Sequence, residues 1–197
     1  MAITPAVSGL TPRFYKRSAA RQVPEKVETS NVPSTGLSEH VIVAGSGRVG
    51  RTVADALSHL GLPCAVIELD DRRVQQARIA GLPVIYGDAG HAAVLEAADI
   101  ARARAIIVTV PTFSDVRAIV ETVKKLRPDL PIVGRADGPD VVRGLYALGI
   151  EEVTSPELEA AIEMTRQALT YLKIPAQEIL RVASAMRREG YDRRAET

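Results

Sequence analysis

The residues best suited to chemistry lie in the glycine-rich stretch VIVAGSGRVGRTVADAL, which begins at Val41. Its glycines Gly45, Gly47 and Gly50 have the spacing of a phosphate-binding turn between a strand and a helix. In such a turn the first glycine permits the tight bend, the second lets the backbone approach a pyrophosphate, and the third allows close helix–sheet packing. The amides that open the helix would then face the phosphate, with the positive end of the helix dipole behind them. The motif predicts a nucleotide site, and a purely structural turn is the alternative.

An acidic residue at the end of the next apolar run strengthens this interpretation. Glu68 lies about 18 residues after Gly50, where a carboxylate is expected to bind the ribose hydroxyls of adenosine. Its carboxylate could accept hydrogen bonds from both hydroxyls and would repel a 2′-phosphate, which favours NAD(H) or an adenine nucleotide over NADP(H). The neighbouring Leu69 and Asp70 are included in the candidate site. For Asp70, the N-cap of the following helix is an equal alternative.

Other charged residues follow the later apolar runs. Asp88, in YGDAG, could contact the adenine or cap the next helix. Arg48 can reach outward to a phosphate. Arg135 follows PIVG and suits a bidentate contact with a phosphate or carboxylate, and a salt bridge with Asp137 or Asp140 is the alternative.

The sequence offers no visible catalytic apparatus to accompany this site. The histidines His40, His59 and His91 belong to no recognisable catalytic triad or metal-ligand cluster, and the lone Cys64 lies in an apolar run typical of a buried thiol in a reducing compartment. We therefore expect no catalytic residue and no metal, and a sensor rather than an enzyme. The alternative is a small NAD-dependent oxidoreductase with an acid or base near His91 or Asp115. An orphan scaffold with an empty glycine loop is a further alternative.

The elements that must position these residues alternate regularly from residue 40 onwards. Six short apolar runs alternate with helical patterns up to residue 155, which predicts an α/β fold: a Rossmann-type, doubly wound parallel sheet over 39–155 with additional C-terminal helices over 156–190. The C-terminal helices carry an apolar stripe that could pack on a second copy of the chain or on the chain's own sheet. Residues 191–197 are predicted to form a polar tail.

Composition sets further limits. The 197 residues carry a net charge of +1 and only 4% aromatic residues, which disfavours a nucleic-acid partner. No stretch approaches the ~18 apolar residues of a membrane-spanning helix. Residues 1–38 contain four prolines and a basic cluster, and they are predicted to be a linker or disordered arm.

Several motifs together resemble the RCK N-terminal domain, also called TrkA-N, over roughly residues 39–172. They are HVIVAGSGRVGRTVADAL, VIELDDRRV, VIYGDAGHAAVLEAADI, ARAIIVTVP and PIVGRADGPDVVRGLYALGIEEVTSPE. With EAAIEMTRQALTYLKIP following, the chain is most similar to the cytosolic domain of Kef-type monovalent cation/proton antiporters. The N-terminal MAITPAVSGLTPRFYKR looks like the end of an antiporter's last membrane helix and its basic exit.

The resemblance implies a dimeric regulatory domain that binds NAD(H), AMP, ADP or ATP and controls a potassium or other monovalent cation transporter at the inner face of the cell membrane. It also assigns roles to individual positions: the phosphates would be wrapped by Gly45, Ser46, Gly47, Arg48, Val49 and Gly50. Glu68 would hold the ribose, and the adenine would be bordered by Asp88 and Ala89. The cleft after the fourth strand would be lined by Val110 and Pro111, with Arg135 near a phosphate or the neighbouring subunit. The chain departs from the family pattern at Gly90, where threonine is common, and at Glu68, where aspartate is usual.

Overall fold

A computed structural model of the chain describes residues 27–150 and 152–192. Within these residues seven strands form one sheet: β1 (Glu28–Ser30), β2 (His40–Ala44), β3 (Cys64–Glu68), β4 (Val84–Tyr86), β5 (Ala103–Val108), β6 (Ile132–Arg135) and β7 (Glu152–Thr154). Their spatial order is β1-β4-β3-β2-β5-β6-β7. The six strands from β2 to β7 pair in parallel, as the alternating pattern predicted.

Helices cover both faces of the sheet. One face carries α1 (Arg48–His59) and α2 (Asp71–Ile79), and the other carries α3 (Ala92–Ala97), α4 (Phe113–Leu126) and α5 (Pro139–Ala147). The central strands are buried on both sides because each lies between these two helix layers, so they read as continuous apolar runs. Cys64 belongs to the smaller core beneath α1 and α2, where burial raises the pKa of its thiol. These observations confirm the predicted doubly wound α/β fold.

Strand β1 corrects the prediction that residues up to 38 form a linker. Its three residues pair antiparallel with β4, with Glu28 opposite Tyr86. The Asn31 side chain then donates to the carbonyl oxygens of Arg78 and Leu82, at 3.0 and 3.1 Å, and Leu37 is buried in the core. A strand of three residues is too short to show a period of two, and its conformation comes from pairing with β4. Residues 1–26, including the basic cluster, lie outside the described part of the chain.

Two further helices form a hairpin after β7: α6 (Pro156–Tyr171) and α7 (Ala176–Gly190). Ser155 caps α6 through its hydroxyl, which accepts from the Leu158 amide at 3.4 Å. Tyr191, the first residue of the predicted polar tail, packs against this hairpin: its hydroxyl donates to Glu159 Oε1 at 3.1 Å and accepts from the Ser155 amide at 3.0 Å. The predicted apolar stripe divides, since Ile162 is buried whereas Leu172 is exposed.

Candidate functional site

The glycine-rich turn lies where the strand order reverses, between β2 and β5. The Thr109 amide donates to the Ala44 carbonyl at 2.9 Å, and the Thr109 hydroxyl donates to the Gly45 carbonyl at 2.9 Å. These bonds fasten the carboxyl ends of the two strands to each other. In open α/β sheets, ligands bind in the crevice at this reversal point.

The three glycines of the turn meet different constraints. Gly45 has φ +94°, a backbone conformation that residues other than glycine rarely adopt. A Cβ atom on Gly50 would overlap the Gly45 carbonyl oxygen, so α1 can approach the sheet only if residue 50 is glycine. Gly47 differs: it has φ −65°, and a Cβ there would find its nearest atom, Arg73 Nη1, 3.9 Å away. The protein's own packing therefore explains Gly45 and Gly50 but leaves open space beside Gly47.

The start of α1 faces this open space. Gly47 occupies the N-cap position, no side chain caps the helix, and its first turn contains no acidic residue. The first amides of a helix have no intrahelical carbonyl partner. An anion beside Gly47 would satisfy these amides and would interact favourably with the helix dipole.

Glu68 is buried at the end of β3, and three backbone amides bind its carboxylate. Oε2 accepts from the Ser46 amide at 2.7 Å, and Oε1 accepts from the amides of Leu69 and Asp70 at 2.8 and 2.9 Å. Arg73 Nη1 lies 3.8 Å from Oε2. A carboxylate offers about four acceptor positions, so this geometry leaves room for one ribose hydroxyl rather than the expected two.

The other acidic candidates have local roles in the protein. Asp70 caps α2 by accepting from the Arg73 amide at 3.0 Å, which is the alternative that the sequence left open. Asp88 Oδ1 accepts from the Gly90 amide at 2.8 Å, and its other oxygen lies 4.0 Å from His91 Nε2.

A cleft of about 800 Å³ opens beside the turn. The predicted residues that line it are Gly45, Gly47, Arg48, Val49, Glu68, Val110, Pro111 and Arg135. The predicted residues that do not line it are Ser46, Gly50, Leu69, Asp70, Asp88 and Ala89. Of these, Ser46 and Gly50 still shape the turn, through the amide bond to Glu68 and the close packing of α1.

Arg135 forms the far wall of the cleft. Its Nη2 lies 3.5 Å from Asp137 Oδ1 and 3.5 Å from Glu157 Oε1. The pairing with Asp137 is the alternative that the sequence offered, whereas Asp140 pairs with Arg143 instead. Arg135 therefore connects β6 to the first turn of α6.

The cleft thus combines the glycine turn with three arginines, Arg48, Arg73 and Arg135, and two carboxylates, Glu68 and Glu157. A family profile described as TrkA-N domain matches residues 41–156. The chain belongs to the TrkA-N domain family. The match spans the parallel strands β2 to β7 and ends at the first residue of α6.

Relatives of this TrkA-N domain include transporters. K(+) efflux antiporter 1, chloroplastic, of Arabidopsis thaliana is 31% identical over 193 residues, which are 95% of this chain and 16% of the relative. A structure described as the Kef CTD of Shewanella denitrificans in AMP-bound form is 26% identical, has a TM-score of 0.68, and covers 77% of this chain and 92% of its own. The TrkA-N domain of inner membrane protein ybaL from Escherichia coli is 29% identical, with a TM-score of 0.61. The match covers 65% of this chain and 95% of the ybaL domain.

Sequence reasoning missed part of the TrkA-N domain's cleft. The missed lining residues are Thr52, Val53, Arg73, Thr109, Pro156, Glu157 and Ala160. Thr52 and Val53 could have been found by extending the α1 face one turn beyond Val49, because residues three and four apart share a helix face. The residues of α6 carry no such signal, since their place depends on how the hairpin packs beside β6.

The described residues contain neither a metal-ligand cluster nor a helix that could span a membrane. No group of three or more His, Cys, Asp and Glu side chains there could hold a metal ion. None of the helices in that part of the chain has the length and apolar character needed to cross a membrane.

Proposed function

We propose that this TrkA-N domain is a nucleotide-sensing regulatory domain that controls a potassium or other monovalent cation transporter. It binds NAD(H) or an adenine nucleotide (AMP, ADP or ATP) in the cleft beside the glycine turn. Two relatives support this: the antiporter from Arabidopsis thaliana, and the Shewanella denitrificans Kef CTD, which is described as AMP-bound. The transporter domain or subunit is the membrane partner, and the regulatory domain works at the cytoplasmic face of the cell membrane.

The observation that carries the proposal is the open space at Gly47. A Cβ there meets no protein atom closer than 3.9 Å, so the fold does not require glycine at this position. A phosphate that touches the backbone at Gly47 does require it, because a side chain would occupy the position of the phosphate. The residues present therefore fit a nucleotide phosphate.

Each wall of the cleft has a role in this proposal. The first amides of α1, with Arg48, bind the phosphate, and Glu68 accepts one ribose hydroxyl. Arg73, which is half exposed beside Glu68, can donate to the second ribose oxygen. Val110 and Pro111 provide apolar surface on the β5 side.

A sensor is favoured over an oxidoreductase by the position of the candidate acid–base residues. Neither His91 nor Asp115 is among the residues that line the cleft. A general acid or base must come within hydrogen-bond reach of the reacting atom. The cleft-lining residues suit binding and offer no histidine or cysteine for chemistry.

We further propose that the domain works as a homodimer through α6 and α7. The hairpin exposes Met164, Tyr171, Leu172 and Leu180. Four large exposed apolar side chains on one hairpin favour an interaction surface there. Light scattering on the purified chain measures the mass, and a dimer that L172K converts to a monomer is the expected result.

The binding proposal is tested by a thermal-shift panel with NAD+, NADH, NADP+, AMP, ADP and ATP, followed by calorimetry on each ligand that raises Tm. A ligand at a hundredfold excess over its Kd stabilises the folded state by about 2.7 kcal/mol. A shift of Tm with at least one adenine nucleotide and none with NADP+ is expected. If no nucleotide shifts Tm, the glycine turn is purely structural and the proposal fails.

A further inference from the structure

The two ends of the cleft belong to different parts of the fold. One end is formed by the glycine turn, the start of α1 and Glu68. The other is formed by Arg135 and the first two turns of α6, including Pro156 and Glu157. A single cleft therefore touches both the nucleotide-binding turn and the helix that begins the C-terminal hairpin.

The sheet order gives the distance between these ends. Glu68 ends β3 and Arg135 ends β6, with β2 and β5 between them. Neighbouring strands lie ~4.8 Å apart, so the two strand ends are separated by about 14 Å, and β6 lies about 10 Å beyond β2, which leads into the turn. A nucleotide with its ribose at Glu68 and its first phosphate at the turn must continue further along the cleft to reach Arg135.

Arg135 is loosely held in the described structure. Its two contacts, with Asp137 and Glu157, are both 3.5 Å long, at the outer limit of a hydrogen bond. Its Nε atom is buried and has no hydrogen-bond partner among the described residues. The guanidinium group thus has unused donors that phosphate oxygens, which accept bidentate hydrogen bonds, would satisfy.

We propose that Arg135 is the specificity-determining residue that distinguishes ligands carrying a phosphate beyond the first from nucleoside monophosphates. When that second phosphate binds, Arg135 releases Glu157. Because Glu157 lies in the first turn of α6, the exchange breaks an ion pair that joins β6 to the C-terminal hairpin. This inference rests on the proposed nucleotide binding and adds to it which ligands the far wall recognises.

The test compares the affinities of AMP, ADP, ATP and NAD+ by calorimetry on the full chain at constant salt. The wild type binds ligands with a second phosphate more tightly than AMP. R135Q removes one charge-assisted contact, so it weakens their binding about tenfold. The affinity for AMP stays within about twofold of the wild type. The ADP, ATP and NAD+ arms show whether a polyphosphate or a dinucleotide supplies the second phosphate.

Two further variants separate the ion pair from general surface charge. E157Q frees Arg135 from a competing carboxylate, so ADP binding tightens a few-fold while AMP binding is unchanged. E178Q is the matched control, because Glu178 is an exposed glutamate paired with Arg181 on α7, away from the cleft. It should change neither affinity.

Release of Glu157 is measured by hydrogen–deuterium exchange of the segment 156–163. ADP, compared with AMP, should speed exchange there in the wild type and should have no such effect in R135Q. If R135Q weakens AMP and ADP equally, Arg135 only supports the site, and this inference is overturned while the proposed function stands. Equal exchange with both ligands overturns the release step. If no nucleotide binds the wild type, the proposed function itself fails.

Discussion

Substitution of two glycines only three residues apart should give opposite results. Gly50→Ala places a methyl group against the Gly45 carbonyl oxygen, and α1 must shift to accommodate it. Overpacking of this kind costs ~1–3 kcal/mol, which lowers Tm by roughly 2–12 °C for a domain of this size. Gly47→Ala places its methyl group in open space at an ordinary backbone conformation. Alanine is a poorer N-cap residue than glycine, which costs up to ~1 kcal/mol of stability. This loss is offset because alanine lowers the conformational entropy of the unfolded chain.

The effects on ligand binding reverse this order. The Gly47→Ala methyl group occupies the place proposed for a phosphate at the first amides of α1. Loss of one or two charge-assisted hydrogen bonds costs ~1.5–3 kcal/mol, so affinity falls by at least about tenfold. Gly47→Val, with a larger side chain, should abolish binding. The assay measures Tm without ligand and Kd by calorimetry for each variant.

Two results would refute this reasoning. If Gly47→Ala binds nucleotide as tightly as the wild type, the backbone at residue 47 does not contact the phosphate. If Gly47→Ala lowers Tm as much as Gly50→Ala, the space beside Gly47 is not open. A folded Gly47→Ala that has lost binding is the only combination that agrees with both halves of the argument.

Three further predictions follow from individual contacts. E68Q turns an NH2 group towards at least one of the three amides that Glu68 accepts from, so differential scanning calorimetry should show a loss of about 1–3 kcal/mol. His40 is buried, with its Nε2 2.8 Å from the Ala98 carbonyl oxygen, and burial lowers the pKa of its imidazole. The imidazole is therefore protonated at a higher pH in the unfolded chain than in the folded one. Stability should fall as the pH drops below about 6.5, and urea titrations of H40Q between pH 7 and 5 should show a flatter dependence. Y191F removes the hydroxyl that binds both Ser155 and Glu159. The free energy of unfolding should fall by about 1–2 kcal/mol, which thermal unfolding should show as a drop in Tm of a few degrees.

The sequence predicted those parts of the site that depend on local rules. The glycine spacing and the acid at the end of β3 follow from backbone geometry and from the alternation of strands and helices, and the structure has both in the predicted places. Strand β1 and the α6 wall depend on contacts between segments far apart in the chain. Glu28 lies opposite Tyr86, and Arg135 reaches Glu157, yet neither pair leaves a periodic signal.

The structure also changed the expected role of Glu68. The sequence gives a carboxylate at the right distance and says nothing of its partners. In the fold, the amide of Ser46 and two amides after β3 already bind its carboxylate, so Glu68 fixes the shape of the turn in addition to its proposed contact with a ribose. Such preorganisation lowers the ordering cost that a ligand must meet on binding.

The far wall gives a physical reason why ligand binding could regulate a partner. A ligand shifts a conformational equilibrium only by the difference between its affinities for the two states. The pair of Arg135 with the exposed Glu157 belongs to a class of ion pairs worth ~0–1 kcal/mol, whereas a charge-assisted bond to phosphate is worth ~1.5–3 kcal/mol. The exchange of partners is therefore favourable by ~0.5–3 kcal/mol, which overlaps the ~1–3 kcal/mol typical of allosteric coupling. A stronger ion pair would resist the ligand, and the absence of one would leave α6 unable to respond.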